Sequence, residues 1–183
     1  MDPKAFYRQN YRADYQVLHS ADDQIALHIT TTFEAINTTD EPQEYYTKYQ
    51  ADAEERPEQM EMVLHLMGAE HRKIGPLTLS AKRPEVWEFQ SDIVTVPPKA
   101  WVKVVSAYTT LKPEPKPGKP FCDAPSFGSP IHRVEITAKW PADLEFVVDP
   151  VIEPTEKGIG QWVFDRDFVP NEHIPIRICV KDA

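Results

Sequence analysis

At 183 residues with a 41% hydrophobic share, the chain is long enough to bury about 70% of its unfolded surface, which excludes a disordered polypeptide. Its net charge of −9 excludes broad attraction to a nucleic-acid backbone, because counterion release needs a basic face. No stretch approaches the roughly 18 consecutive apolar residues of a membrane span, and Met1-Asp2-Pro3-Lys4 lacks the apolar centre of a secretion signal, so a soluble, cytoplasmic chain is expected.

The opening reads as a helix. Asp2 suits the cap and Pro3 the first helical position ahead of Lys4-Ala5-Phe6-Tyr7-Arg8, so residues 1–12 form a short N-terminal helical lead-in. Strands are predicted next at Asp14–His19 and Gln24–Asn37. In the second, Ile25, Leu27, Ile29, Thr31, Phe33 and Ala35 fall on one face and His28, Thr30, Thr32 and Glu34 on the other. Asn37-Thr38-Thr39 then reads as a turn. The acidic stretch Gln50–Gln59 suits a short exposed helix.

Further strands are predicted at Glu44–Ala51, Met60–Met67, Ile74–Ser80, Val86–Phe89, Ile93–Val96 and Trp101–Leu111. The last group is Arg133–Trp140, Leu144–Val148, Gln161–Asp165 and Ile174–Val180. Alternation assigns Val134, Ile136, Ala138 and Trp140, then Leu144, Phe146 and Val148, then Ile174, Ile176, Ile178 and Val180 to the core. Between Lys112 and Pro130 lies a long Pro-rich loop, the one segment singled out by composition as functional or disordered.

Eighteen prolines stand against six glycines. Proline cannot donate to a central ladder, so this many must occupy edges and connections between short strands, as an antiparallel sandwich provides. Pairing Gln24–Asn37 with Glu44–Ala51, and Arg133–Trp140 with Leu144–Val148, yields an all-β, immunoglobulin-like sandwich of two antiparallel sheets in a single domain over 1–183. The antibody Cys…Trp…Cys spacing is absent. The phrase Phe33-Glu34-Ala35-Ile36-Asn37-Thr38-Thr39 resembles the strand-to-turn phrase of many bacterial immunoglobulin-like domains.

No constellation required by a known reaction is evident, so no catalytic residue is assigned. The six histidines are scattered without the close ligand pairs of zinc sites, and neither a metal nor a cofactor is expected. Asp165 and Asp167 fall on one face about 7 Å apart, a spacing hydrolysis can use. Cys122 beside Asp123, with His132 as base, is the thiol alternative, although a Pro-rich loop offers no helix N-terminus to lower its pKa. Gly-rich phosphate loops are absent.

The loop carries the binding expectation. Lys112, Lys116 and Lys119 are opposed only by Glu114 and are followed by Phe121 and Phe127, so this segment is basic in an acidic chain and suits a protein partner or a small anionic ligand. The acidic run from Asp40 to Glu61 adds a charge asymmetry that could support self-association. The leading expectation is therefore a non-enzymatic ligand-sensing or protein-interaction module that binds through loops. Its alternatives are a hydrolase with an acidic or thiol site and a structural subunit assembling through sheet edges. The four tryptophans default to the core; an exposed one would suit stacking.

Overall fold

The computed structural model describes residues 5–21, 23–52, 59–66, 69–74, 76–80, 83–125, 127, 129–149 and 158–181. Among them the chain forms strands and no α-helix. In order these are β1 (Phe6–His19), β2 (Gln24–Asn37), β3 (Gln43–Tyr45), β4 (Lys48–Asp52), β5 (Gln59–Leu66), β6 (Ala69–Ile74), β7 (Pro76–Ser80) and β8 (Arg83–Gln90). Then follow β9 (Val94–Val96), β10 (Trp101–Pro113), β11 (Phe121–Asp123), β12 (Ile131–Lys139), β13 (Leu144–Val148), β14 (Ile159–Phe168) and β15 (Ile176–Val180).

The main sheet has seven strands in the order β14-β12-β1-β2-β10-β5-β6. Smaller sheets, β11-β15-β13, β3-β9 and β4-β8-β7, pack on its inner face. Tyr15 meets Phe146 with ring centres 5.4 Å apart, Phe6 meets Tyr45 at 4.8 Å and Tyr108 meets Tyr49 at 4.5 Å. The result is a sandwich-like all-β architecture. Alternation builds its core as expected: Ile25, Leu27, Ile29, Phe33 and Ala35 of β2 are buried, as are Val134, Ile136 and Ala138 of β12 and Leu144, Phe146 and Val148 of β13. Trp140 and Val180 are half-buried.

The N-terminal lead-in is a correction. Residues 1–4 lie outside the described residues, but 6–12 are strand. β1 hides from a period-two reading because the register against β2 shifts between Gln9 and Arg12, with Asn10 at a φ of 54°. Before that bulge Phe6 and Arg8 face inward; after it Tyr11, Ala13, Tyr15 and Val17 do.

The pairings also differ. β2 lies between β1 and β10 rather than beside β3 and β4, and β12 lies between β1 and β14 while β13 belongs to the opposite layer. The β1–β12 pair is parallel, so the architecture is not purely antiparallel. Gln50–Asp52 and Gln59 are strand rather than helix, and 53–58 fall outside the described residues. The Pro-rich segment is partly regular, since β10 runs through Pro113 and β11 pairs with β15.

Asn37 ends β2 with a fully buried side chain. Its Nδ2 donates to the carbonyls of Glu41 (2.8 Å), Val96 (3.1 Å) and Pro97 (3.1 Å), and its Oδ1 accepts from the Thr39 N–H (2.9 Å) and hydroxyl (2.7 Å). The expected turn is therefore a corner that also fastens the end of β9.

Candidate functional site

Hydrogen bonds order the segment after β10. The Glu114 N–H donates to the Asp23 carbonyl at 2.8 Å, and Lys116 and Lys119 exchange backbone bonds of 3.2 and 2.8 Å. Pro117 and Gly118 turn the chain between them. Gly118, at a φ of +70°, supplies the left-handed residue a type II turn requires. A mutually bonded pair holds both side chains on one face with Cα atoms about 5.5 Å apart. Two exposed lysines thus leave one face of a backbone-bonded turn.

The other candidate residues sit lower. Lys112 faces inward from β10 and is buried, its Nζ 5.4 Å over the ring of Phe121 in β11. Phe127 is 1% exposed, with its ring edge-on to Tyr11 and to Phe168, each centre 5.2 Å away. The structure therefore brings Lys116 to Lys119 and Lys112 to Phe121, and it puts Phe127 in the core. Beside Phe121, the Asp123 carboxylate accepts from the Tyr15 hydroxyl at 2.9 Å. Burial first, and then the Asp123 charge, hold the Tyr15 phenol well above its ordinary range; burial and the neighbouring Tyr49 do the same to Tyr108.

The acidic pair of β14 lies on the outer face of the main sheet. His132 Nδ1 is 2.9 Å from Asp167, His132 Nε2 is 3.7 Å from Asp165, and the Tyr7 hydroxyl donates to Asp167 at 3.1 Å. The three side chains are 50%, 76% and 71% exposed for His132, Asp167 and Asp165. Hydrogen bonds from His132 and then Tyr7 lower the Asp167 pKa. A general acid needs the opposite shift. Cys122 is exposed in the other layer, across the sandwich from His132.

His19 is the meeting point of a second group. Its Nδ1 lies 2.9 Å from Glu114 and its Nε2 3.0 Å from Asp143. One ligand atom from each residue falls within 4.8 Å of the others, which makes them a candidate cation set. A metal, however, takes one imidazole nitrogen, whereas here each nitrogen faces its own carboxylate. Only the imidazolium has two N–H donors for that arrangement.

The sequence offered no signal for Tyr7 or Asp143 and brought up Asp123 only as the neighbour of Cys122, because their partners lie far away along the chain. Of the tryptophans, Trp162 is buried and Trp101 is 47% exposed at the end of β10.

No family model matches the chain, and no curated protein matches it. In fold it is similar to a protein of Legionella pneumophila provisionally named as nutrient binding. That likeness has a TM-score of 0.51 at 9% identity and covers 97% of this chain and 68% of the other. It is also similar to a protein of Parabacteroides distasonis provisionally named as a protease, with a TM-score of 0.50 at 12% identity, over 95% of this chain and 40% of the other. At these identities the likeness establishes the β architecture.

Proposed function

We propose that the chain is a non-catalytic, cytoplasmic ligand-sensing or protein-interaction module, a single immunoglobulin-like sandwich domain that takes an anionic ligand at the Lys116–Lys119 turn. The carrying observation is the pairing itself. Two lysines are paired across Pro117-Gly118 in a chain of net charge −9, so the tip is a local positive pole whose backbone is already set before binding. Lys112, Phe121 and Phe127 serve the same site from below by fixing the base of the segment. The fold likeness to a protein provisionally named as nutrient binding supports ligand binding as the broad class. The Asp165–His132–Asp167 group gives less support to the hydrolase alternative because its carboxylates are exposed rather than desolvated, and Cys122 gives less because its expected base, His132, lies in the other layer.

Calorimetric titration with inorganic pyrophosphate, and separately with a Glu-rich peptide, tests the reading. Binding at low salt by at least one probe is expected, weakening with ionic strength and falling by about tenfold in a Lys116→Glu/Lys119→Glu double variant. Equal affinity in wild type and double variant, or no binding of either probe at low salt, overturns it.

A further inference from the structure

Arg8 stands where the core pattern asks for an apolar residue. Its row across the inner face of the main sheet reads Val102, Ala35, Arg8, Ile131, Phe168. The other members are exposed by 1% or less. The guanidinium carbon lies 4.6 Å from the centre of the Phe33 ring, and its charge reaches the buried phenols of Tyr11 and Tyr45. Among the described residues no carboxylate forms an ion pair with it.

Two hydroxyls share that end of the sandwich. Arg8 Nε, the Tyr45 hydroxyl and the Ser129 hydroxyl are all sealed from solvent, and among the described residues none has a hydrogen bond of good geometry; the Tyr45 hydroxyl lies close enough to the Arg8 side chain for a weak one. The Arg8 N–H donates to the carbonyl of Pro130 at 2.9 Å, so the segment holding Ser129 runs beside it. Tyr45 packs edge-on against Phe6, two residues away on the same face.

Each of these groups is costly as it stands. Arg8 is half-buried, so for it the cost falls on the sealed Nε, while a buried hydroxyl without a good partner gives up hydration that it does not recover. An oxyanion answers all three at once. It neutralises the charge, accepts from the planar fork and accepts from both hydroxyls, in surroundings whose aromatic walls strengthen the attraction.

We propose that half-buried Arg8 and the buried hydroxyls of Tyr45 and Ser129 form an oxyanion-binding site that holds a carboxylate or phosphate group, either as a free ion or as the acid end of a small ligand. The site is separate from the lysine turn and does not depend on it.

Thermal unfolding of wild type and Arg8→Met, titrated with sodium phosphate or sodium acetate against sodium chloride at equal ionic strength, is the test. The general effect of each salt on protein surfaces is common to both proteins and cancels in their difference. For wild type, the midpoint is expected to rise by about 5 °C at an anion concentration about a hundred times the dissociation constant. Arg8→Met should show no such rise and, without anion, should unfold at or above the wild-type temperature, since methionine replaces an unpaired charge in an apolar row. A response to phosphate alone assigns the phosphate class, and a response to acetate alone the carboxylate class. A Tyr45→Phe/Ser129→Ala variant keeps the volume of the core nearly unchanged and should retain only part of the rise. A wild-type midpoint that follows chloride in both anions, an equal rise in Arg8→Met, or Arg8→Met unfolding far below wild type overturns the site; the last means the arginine is already satisfied.

Discussion

Gly160 and Trp162 share one volume in β14: a Cβ built on Gly160 would lie 2.2 Å from Cη2 of the Trp162 ring. The indole folds back over the residue two places before it on the same face. It is 1% exposed and held by Phe146 at 5.6 Å and Trp140 at 6.3 Å between ring centres. Because packed rings cannot retreat, Gly160→Ala should destabilise the fold by about 1–3 kcal/mol as an overpacking change. Denaturant unfolding measures it, and an unchanged midpoint would show that the indole has room to move.

The corner at Asn37 yields a sharper contrast between two conservative changes. Asn37→Asp keeps the shape but removes both N–H donors and aims a carboxylate at the carbonyls of Glu41, Val96 and Pro97. It should cost about 3–5 kcal/mol, more than Asn37→Ala, because buried acceptors are then opposed by a charge as well as unpaired. Chemical denaturation of both variants at neutral pH gives the order, and the reverse order would mean the corner opens to water. The same bonds explain why the phrase from Phe33 to Thr39 was readable as strand then turn.

How much could be read in advance depends on how local the cause is. Gln24–Asn37 was legible to the residue because its alternation is uninterrupted and its end is set by Asn37 itself. β1 was not, since a bulge at Asn10 resets the alternation and Asp2-Pro3 supplies a misleading helix signal. Strand partners were beyond reach: the β1–β12 pair joins residues more than a hundred positions apart, and no local pattern records it. Phe127 looked like an interface anchor because an isolated aromatic between prolines has no periodicity, yet Tyr11 and Phe168 enclose it. Lys112 continued the inward alternation of β10 and was read by its charge instead. Arg8, Tyr45 and Ser129 come from three segments, so their meeting exists only in the folded chain.

Alkaline pH should unfold the protein in a cooperative step coupled to phenol ionisation. The pKa values of Tyr11, Tyr15, Tyr45 and Tyr108 are all raised above 10.0, with burial the largest cause in each. An acid whose folded pKa exceeds its unfolded one stabilises the fold fully below the unfolded value, and that stability is lost as pH rises through the folded value. The contribution of these phenols should therefore be constant up to about pH 10 and fall steeply beyond it, with phenolate absorbance and circular dichroism changing together. In Tyr15→Phe the fall should be shallower. Phenolate appearing ahead of any change in circular dichroism would contradict the burial of these rings.

His19 should titrate above its ordinary 6.5, because hydrogen bonding to Asp143, and then the charges of Asp143 and Glu114, favour its protonated form over a smaller opposing effect of burial. The contribution of this histidine is fully present below 6.5 and is lost as pH rises through the raised value. Asp143 behaves oppositely: its pKa is lowered from 3.8, chiefly by His19, so its contribution is present above 3.8 and lost as pH falls through the lowered value. The clasp joining the end of β1, the segment after β10 and the turn before β13 is thus complete between those limits. All three groups are at least a third exposed, so salt should screen the effect. Nuclear magnetic resonance titration of the His19 ring checks it, with the pKa expected to fall in Asp143→Asn and to fall further when Glu114→Gln is added. If His19 titrates at 6.5 in wild type, or ignores both substitutions, its ring does not donate to both carboxylates and the three segments are not joined by a proton.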